Sequence, residues 1–311
     1  MSDDVLLSCQ LGRERMTITG AAQKAYLLVE ARPSDDAPAV RLPLNFALVL
    51  DHSGSMKGAK LNSVKEAVKL VIEHLDPMDT VSVVVFDDNV QVIVPAQPAT
   101  DKARLKTLVD GIRDGGGTAM SLGMSVGLTE LRKHASPQTV NRMIVLTDGV
   151  TYGDAERCRR IADDAGTAGI GIYPLGIGAD WDQDLLDNIG QRSSGMPAEF
   201  IRRPDDALGL FQQQFQSAAA VSVRNARLTV RLAAGASPVR ATKVLPIIDE
   251  VGAEHLSDRE VVVALGDLER DTPQGVLVEL LMQPRPEGDF RLAQAEMAYE
   301  RPGTGERKAR A

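Results

Sequence analysis

From Leu44 to Ala219, continuous apolar runs alternate with segments whose apolar residues return every three or four positions. FALVLD, residues 46–51, and RMIVLTDG, residues 142–149, show little polar alternation, as strands covered on both faces require. Between them Leu61, Val64, Val68, Val71, Ile72 and Leu75 fall on one helical stripe, with lysines and glutamates opposite. TVSVVVFD (80–87) and VQVIVPA (90–96) flank a tight Asp-Asn turn and predict a hairpin. Helices are expected at 101–111, 119–134, 154–166, 182–189 and 205–219, and further strands at 170–178 and 198–201. The alternation predicts an α/β fold: a doubly wound, mostly parallel sheet with one antiparallel edge strand supplied by the hairpin.

Outside that region the period changes to two. In NARLTVRL (225–232) Ala226, Leu228, Val230 and Leu232 alternate with polar residues, as in a half-buried strand. ATKVLPII, REVVVALGDL, GVLVELLM and FRLAQAEMAY follow with turn-forming residues between them. Among the first residues VLLSC, RMTIT and AYLLVEA are also strand-like. Strands of 1–43 are therefore expected to pair with those of 220–300 in one antiparallel β-sandwich, with the α/β domain of 44–219 inserted into it. An N-terminal arm beside a separate C-terminal sandwich would satisfy the same pattern. RPGTGERKARA, residues 301–311, has no apolar period and is expected to be a tail or linker.

Composition narrows the function classes. The net charge of −8 over 311 residues argues against a polyanion binder, so no nucleic-acid partner is expected. Cys158 lies on the apolar side of a helical pattern with Ile161, Ala162 and Ala165, which suits a buried thiol better than a disulfide with Cys9. The first residues are acidic where a signal peptide is basic, and no stretch approaches the roughly 20 apolar residues of a membrane helix. A soluble, cytoplasmic protein, or a soluble piece of a larger one, is expected, with no membrane partner.

Candidate chemistry gathers in the loops after the two buried strands. In open α/β sheets, sites form at the carboxyl ends of the strands, so residues following FALVL and MIVLT are placed to meet. The first loop supplies Asp51, Ser53 and Ser55, and the second supplies Asp148. A third loop, DGGGTAM, supplies Thr118 after glycines that let the backbone approach closely. All are oxygen donors, and hard ligands of that kind suit Mg²⁺, Mn²⁺ or Ca²⁺ better than Zn²⁺. For any single residue, a helix cap is the competing explanation.

Together, DHSGS, GGGT and LTDG resemble the metal-ion-dependent adhesion site of the von Willebrand factor type A family, a resemblance that extends over 44–219. It implies hydroxyl ligands from Ser53, Ser55 and Thr118, with Asp51 and Asp148 binding a metal, Mg²⁺ first, directly or through water. Mostly neutral direct ligands would leave the ion charged and one coordination position open to a carboxylate. The family uses its metal in this way, binding an Asp or Glu of a protein partner, so the resemblance implies an interaction module with no catalytic residues. Bacterial members often work beside AAA+ ATPases or kinase and phosphatase systems, which are the implied partners. The flanking strands resemble sandwiches beside such domains in bacterial proteins and inter-alpha-trypsin inhibitor heavy chains.

Two alternatives stay open, a metal-dependent hydrolase and a scaffold whose metal site is unused. GMSVG, residues 123–127, matches a nucleophile elbow, but Ser125 falls inside a helix and not between a strand and a helix. Gly123 and Gly127 read instead as a close-packing face. His52 takes an alternate position pointing away from the ligands, and Asp87 with Asp88 reads as a solvated hairpin tip.

Overall fold

The computed structural model describes residues 4–34, 41–136, 138–151, 153–252, 255–270, 272–301, 304 and 306–311. The chain divides into two compact units: Arg41–Ala220, and Val221–Ala311 joined to the described part of Met1–Val40. Strands β1 (Val5–Leu11) and β2 (Gln23–Pro33) precede the first unit.

The α/β unit holds β3 (Leu44–Asp51), α1 (Ala59–His74), β4 (Thr80–Phe86), β5 (Val90–Pro98), α2 (Lys102–Asp110) and α3 (Met120–Arg132). It continues through β6 (Val140–Thr147), α4 (Ala155–Thr167), β7 (Gly171–Ile177), α5 (Gln183–Ser193), β8 (Glu199–Ile201) and α6 (Ala207–Ala219). Its sheet runs β5-β4-β3-β6-β7-β8. Only the β4–β5 pairing is antiparallel. Every residue of β3, β4 and β6 is buried, which explains why these segments lack polar alternation.

Ala47 and Val49 face a core shared with Met124 and Leu128 of α3, Ala162 of α4 and Ile189 of α5. On the other face Phe46 stacks against Phe215 of α6, with ring centroids 6.3 Å apart. Each large apolar side chain taken from water in this way stabilises by roughly 1.5–3 kcal/mol. The glycines of GMSVG set the approach of α3. A β-carbon on Gly123 would meet the Phe86 ring at 2.5 Å, and one on Gly127 would meet Val49 at the same distance. Ser125 sits within α3. These glycines are a packing face.

The second unit contains β9 (Val221–Leu232), β10 (Ala236–Leu245), β11 (Asp249–Glu250), β12 (Glu260–Glu269), β13 (Gln274–Met282), β14 (Ala293–Glu300) and β15 (Arg307–Arg310). Two antiparallel sheets, β1-β2-β13-β10-β11 and β12-β9-β14-β15, share one core of alternate residues such as Leu27, Val29, Leu228, Val230, Val276 and Val278. β2 pairs with β13 from Gln23↔Met282 to Ala31↔Gln274, so strands from before and after the α/β unit lie in one sheet.

Two expectations fail here. RMTIT forms no strand, since the chain between β1 and β2 runs irregularly and leaves Ile18 exposed. β propensity without a partner strand does not hold a segment extended. The final residues are more than a tail: Arg307–Arg310 pairs with β14, and Lys308 lies 3.3 Å from buried Asp4, which Arg301 also holds at 2.7 Å. Among the described residues no helix is long and apolar enough to cross a membrane.

Candidate metal centre

β3 leads through α1 to β4 on one side and lies against β6 on the other, so the strand order reverses between β3 and β6. A crevice opens beyond the carboxyl ends of strands at such a point. Asp51 is the last residue of β3, and Asp148 follows the last residue of β6. Both carboxylates are buried, at 0 % and 2 % exposure.

The two strand ends are joined by hydrogen bonds. Ser53 N donates to Asp51 Oδ1 at 2.8 Å, and Thr147 Oγ1 donates to Asp51 Oδ2 at 2.6 Å. Ser53 Oγ lies 3.0 Å from Ser55 Oγ, and Ser55 Oγ donates to Asp148 Oδ1 at 2.7 Å. Lys60 Nζ donates to Asp148 Oδ2 at 2.5 Å. Burial pushes the Asp51 carboxyl above the ordinary carboxylate range, opposed by the bonds from Thr147 and Ser53 and reinforced by Asp148.

The glycine loop closes the third side. Gly115 N donates to His52 O at 2.7 Å, and Gly54 N donates to Gly116 O at 3.1 Å. Asp87 and Asp88 hold this loop, accepting from Gly116 N at 3.0 Å and Gly117 N at 2.9 Å. The hairpin tip therefore shapes the site and is more than a solvated turn. Glycine suits all three positions, because β-carbons at 115, 116 and 117 would come within 2.2–2.4 Å of those carboxylates and push them from their present place. Thr118 follows at 8 % exposure, and a β-carbon on Gly149 would sit 3.7 Å from its hydroxyl. Thr151 Oγ1 lies 3.1 Å from Thr118 O. Asp154 accepts from Ser121 N at 2.8 Å and from Thr151.

Helix capping does not account for these residues. α1 starts behind Gly58, with no side-chain cap bond, and α4 starts behind Asp154. Asp51 accepts from Ser53 N and Thr147, Ser53 Oγ meets Ser55 Oγ, and Asp148 accepts from Ser55 and Lys60. The donor set also fits a small hard cation. It is made of hydroxyl and carboxylate oxygens alone, the ligand chemistry that Mg²⁺ and Ca²⁺ take, with Ser55 Oγ within hydrogen-bond distance of both Ser53 Oγ and Asp148 Oδ1. Two buried carboxylates against one lysine leave negative charge that a cation would offset.

Thr147, Lys60, Thr151 and Asp154 were not evident as site residues in the sequence. Lys60 alone leaves a signal, because a lysine in the first turn of a helix opposes the helix dipole and calls for an anion nearby. His52 accepts no place among the ligands, since its Nδ1 lies 2.7 Å from Arg113 O.

Comparison with known proteins agrees with this architecture. The model for the von Willebrand factor type A domain matches residues 45–216. An uncharacterized protein of Synechocystis sp. is 31% identical over 288 residues, covering 92% of this chain and 68% of its own. Inter-alpha-trypsin inhibitor heavy chain H3 of Homo sapiens is 29% identical over 54% of this chain, and this chain spans only 20% of its length. Among solved structures, a von Willebrand factor type A protein from Catenulispora acidiphila superposes with a TM-score of 0.78 at 18% identity, covering 96% of this chain and 70% of that one. Proximal thread matrix protein 1 from the mussel byssus, solved with a zinc-occupied metal-ion-dependent adhesion site, gives a TM-score of 0.52 at 20% identity over 58% of this chain and 47% of its own. With the family model covering more than half of the residues, the chain belongs to the von Willebrand factor type A domain family.

Proposed function

We propose that this protein is a divalent-metal-dependent protein-binding module that captures an Asp or Glu side chain of a partner, without catalysing a reaction. The observation that carries the reading is the convergence of two buried carboxylates and two serine hydroxyls on the point where the sheet reverses, with Ser55 Oγ 3.0 Å from Ser53 Oγ and 2.7 Å from Asp148 Oδ1, and Asp51 held by Ser53 N at 2.8 Å. Asp51, Ser53, Ser55, Thr118 and Asp148 would hold the metal. When bound, the ion supplies a positive centre that an acidic partner group can ligate.

The chain's own residues give that centre its character. Thr147 and Ser53 N fix both oxygens of Asp51, so the carboxylate is oriented before any ligand arrives. Mg²⁺ is the expected ion in a cell, with Mn²⁺ or Ca²⁺ as substitutes. The zinc-occupied site of the mussel byssus protein adds zinc to the ions worth titrating.

The decisive experiment is isothermal titration of Mg²⁺, Mn²⁺ and Zn²⁺ into the protein and into Asp51→Ala. The native protein should bind one ion, and the variant should bind at least tenfold more weakly. Equal binding by both would sink the site. Partners recovered by pull-down in Mn²⁺ and lost in chelator would establish metal-dependent capture. An AAA+ ATPase or a kinase or phosphatase system is the proposed partner class.

A further inference from the structure

The buried carboxylates face a cation that belongs to the chain itself. Lys60 Nζ and Ser55 Oγ share the two oxygens of Asp148, at 2.5 and 2.7 Å. The Asp148 side chain is fully buried, whereas that of Lys60 is 29% exposed, so the ammonium reaches in from the rim. That placement is unfavourable on local grounds. Lys60 is the second residue of α1, where the helix dipole disfavours a cation, and the first turn has no acidic residue to offset it. Gly178, whose φ of +85° after β7 accounts for the glycine, lies beside the ammonium, and a β-carbon there would make ordinary contact with Nζ at 3.4 Å.

We propose that Lys60 is the resident counter-cation of the metal centre, neutralising Asp148 before a divalent ion arrives and lowering the affinity for that ion. The inference rests on the metal reading above. The Lys60 ammonium, hydrogen-bonded to Asp148, sets positive charge against the carboxylates that an incoming ion would use. That ion must either tolerate the ammonium nearby or displace it from Asp148, and both lower affinity. Lys60 thus keeps the cage folded without metal and makes occupancy follow the free ion concentration.

The test compares the full chain with Lys60→Gln, which keeps a hydrogen-bond donor but removes the charge, and with Lys60→Arg, which keeps the charge. Titration with Mn²⁺ and Mg²⁺ should show Lys60→Gln binding about tenfold tighter than the native protein, with Lys60→Arg close to native. Thermal unfolding adds a second readout: Lys60→Gln should melt below the native protein in chelator and recover in saturating Mn²⁺. Equal or weaker binding by Lys60→Gln overturns the inference while leaving the metal centre standing. Binding by none of the three proteins removes both readings. A Lys60→Gln protein that is unfolded with and without metal would make Lys60 a purely structural residue and also overturn the proposal.

Discussion

Gly115, Gly116 and Gly117 matter for the volume they leave free. The N–H groups of Gly116 and Gly117 donate to Asp87 and Asp88 while that of Gly115 donates to His52 O, and a β-carbon on any of the three would crowd one of those carboxylates. Gly116→Ala should push the loop off Asp88, displace Thr118, and destabilise the α/β unit by about 1–3 kcal/mol. Titration calorimetry should show metal affinity falling at least tenfold, and an unchanged affinity would mean that the loop tolerates the shift. Asp51, Ser53 and Ser55 were legible because their spacing in one short loop survives as text. Lys60 left only the weak signal of a cation in a helix's first turn, since a lysine on an amphipathic helix reads first as its solvated face and the approach of Asp148, 88 residues away, is what gives it another task.

At the scale of elements, α3 and β10 make opposite departures from simple patterning. α3 approaches the sheet through Gly123 and Gly127, so Gly127→Leu should clash with Val49 and Met143. An overpacking cost of about 1–3 kcal/mol is expected, measurable as a lower denaturant midpoint. On β10, Lys243 follows the same alternation as Ala241 and is buried with it, at 8% and 0% exposure. Burial pulls its pKa down to about 8, with Asp249 opposing. Between about pH 8 and its ordinary value near 10.5, the folded form is neutral while the unfolded form still carries a proton. Stability should therefore rise with pH across that window. Lys243→Met should lack this rise and be more stable at pH 7 by about 1–3 kcal/mol, since no charge is buried. A parallel pH dependence in the two proteins, followed by urea unfolding, would refute the assignment. Most elements were visible from period alone, and the failures have physical causes. RMTIT has the residues of a strand but no partner, while RKAR has none of the apolar alternation yet pairs with β14. An edge strand of basic residues is held by backbone bonds and by ion pairs, Lys308 with Asp4 and Arg307 with Glu300.

For the molecule as a whole, chain connectivity predicts unequal independence of the two units. Residues 41–220 contain a complete sheet and its covering helices, so this segment expressed alone should fold and retain metal binding. Residues 221–311 alone lack β2, which pairs with β13 along nine residue pairs. They should remain unfolded by circular dichroism until the N-terminal segment is supplied. A folded 221–311 fragment would show that β2 is dispensable. The doubly wound class, the succession of elements along the chain and the antiparallel edge were readable because hydrophobic period is a local property: each segment states whether one face or both will be covered. Which strands pair, which residues at loop ends touch, and whether a lysine meets water or a buried carboxylate are settled between residues far apart in the chain. Those contacts exist only once the backbone has closed around them, and the burial that gives Asp148 and Lys60 to one another is a property of the folded state alone.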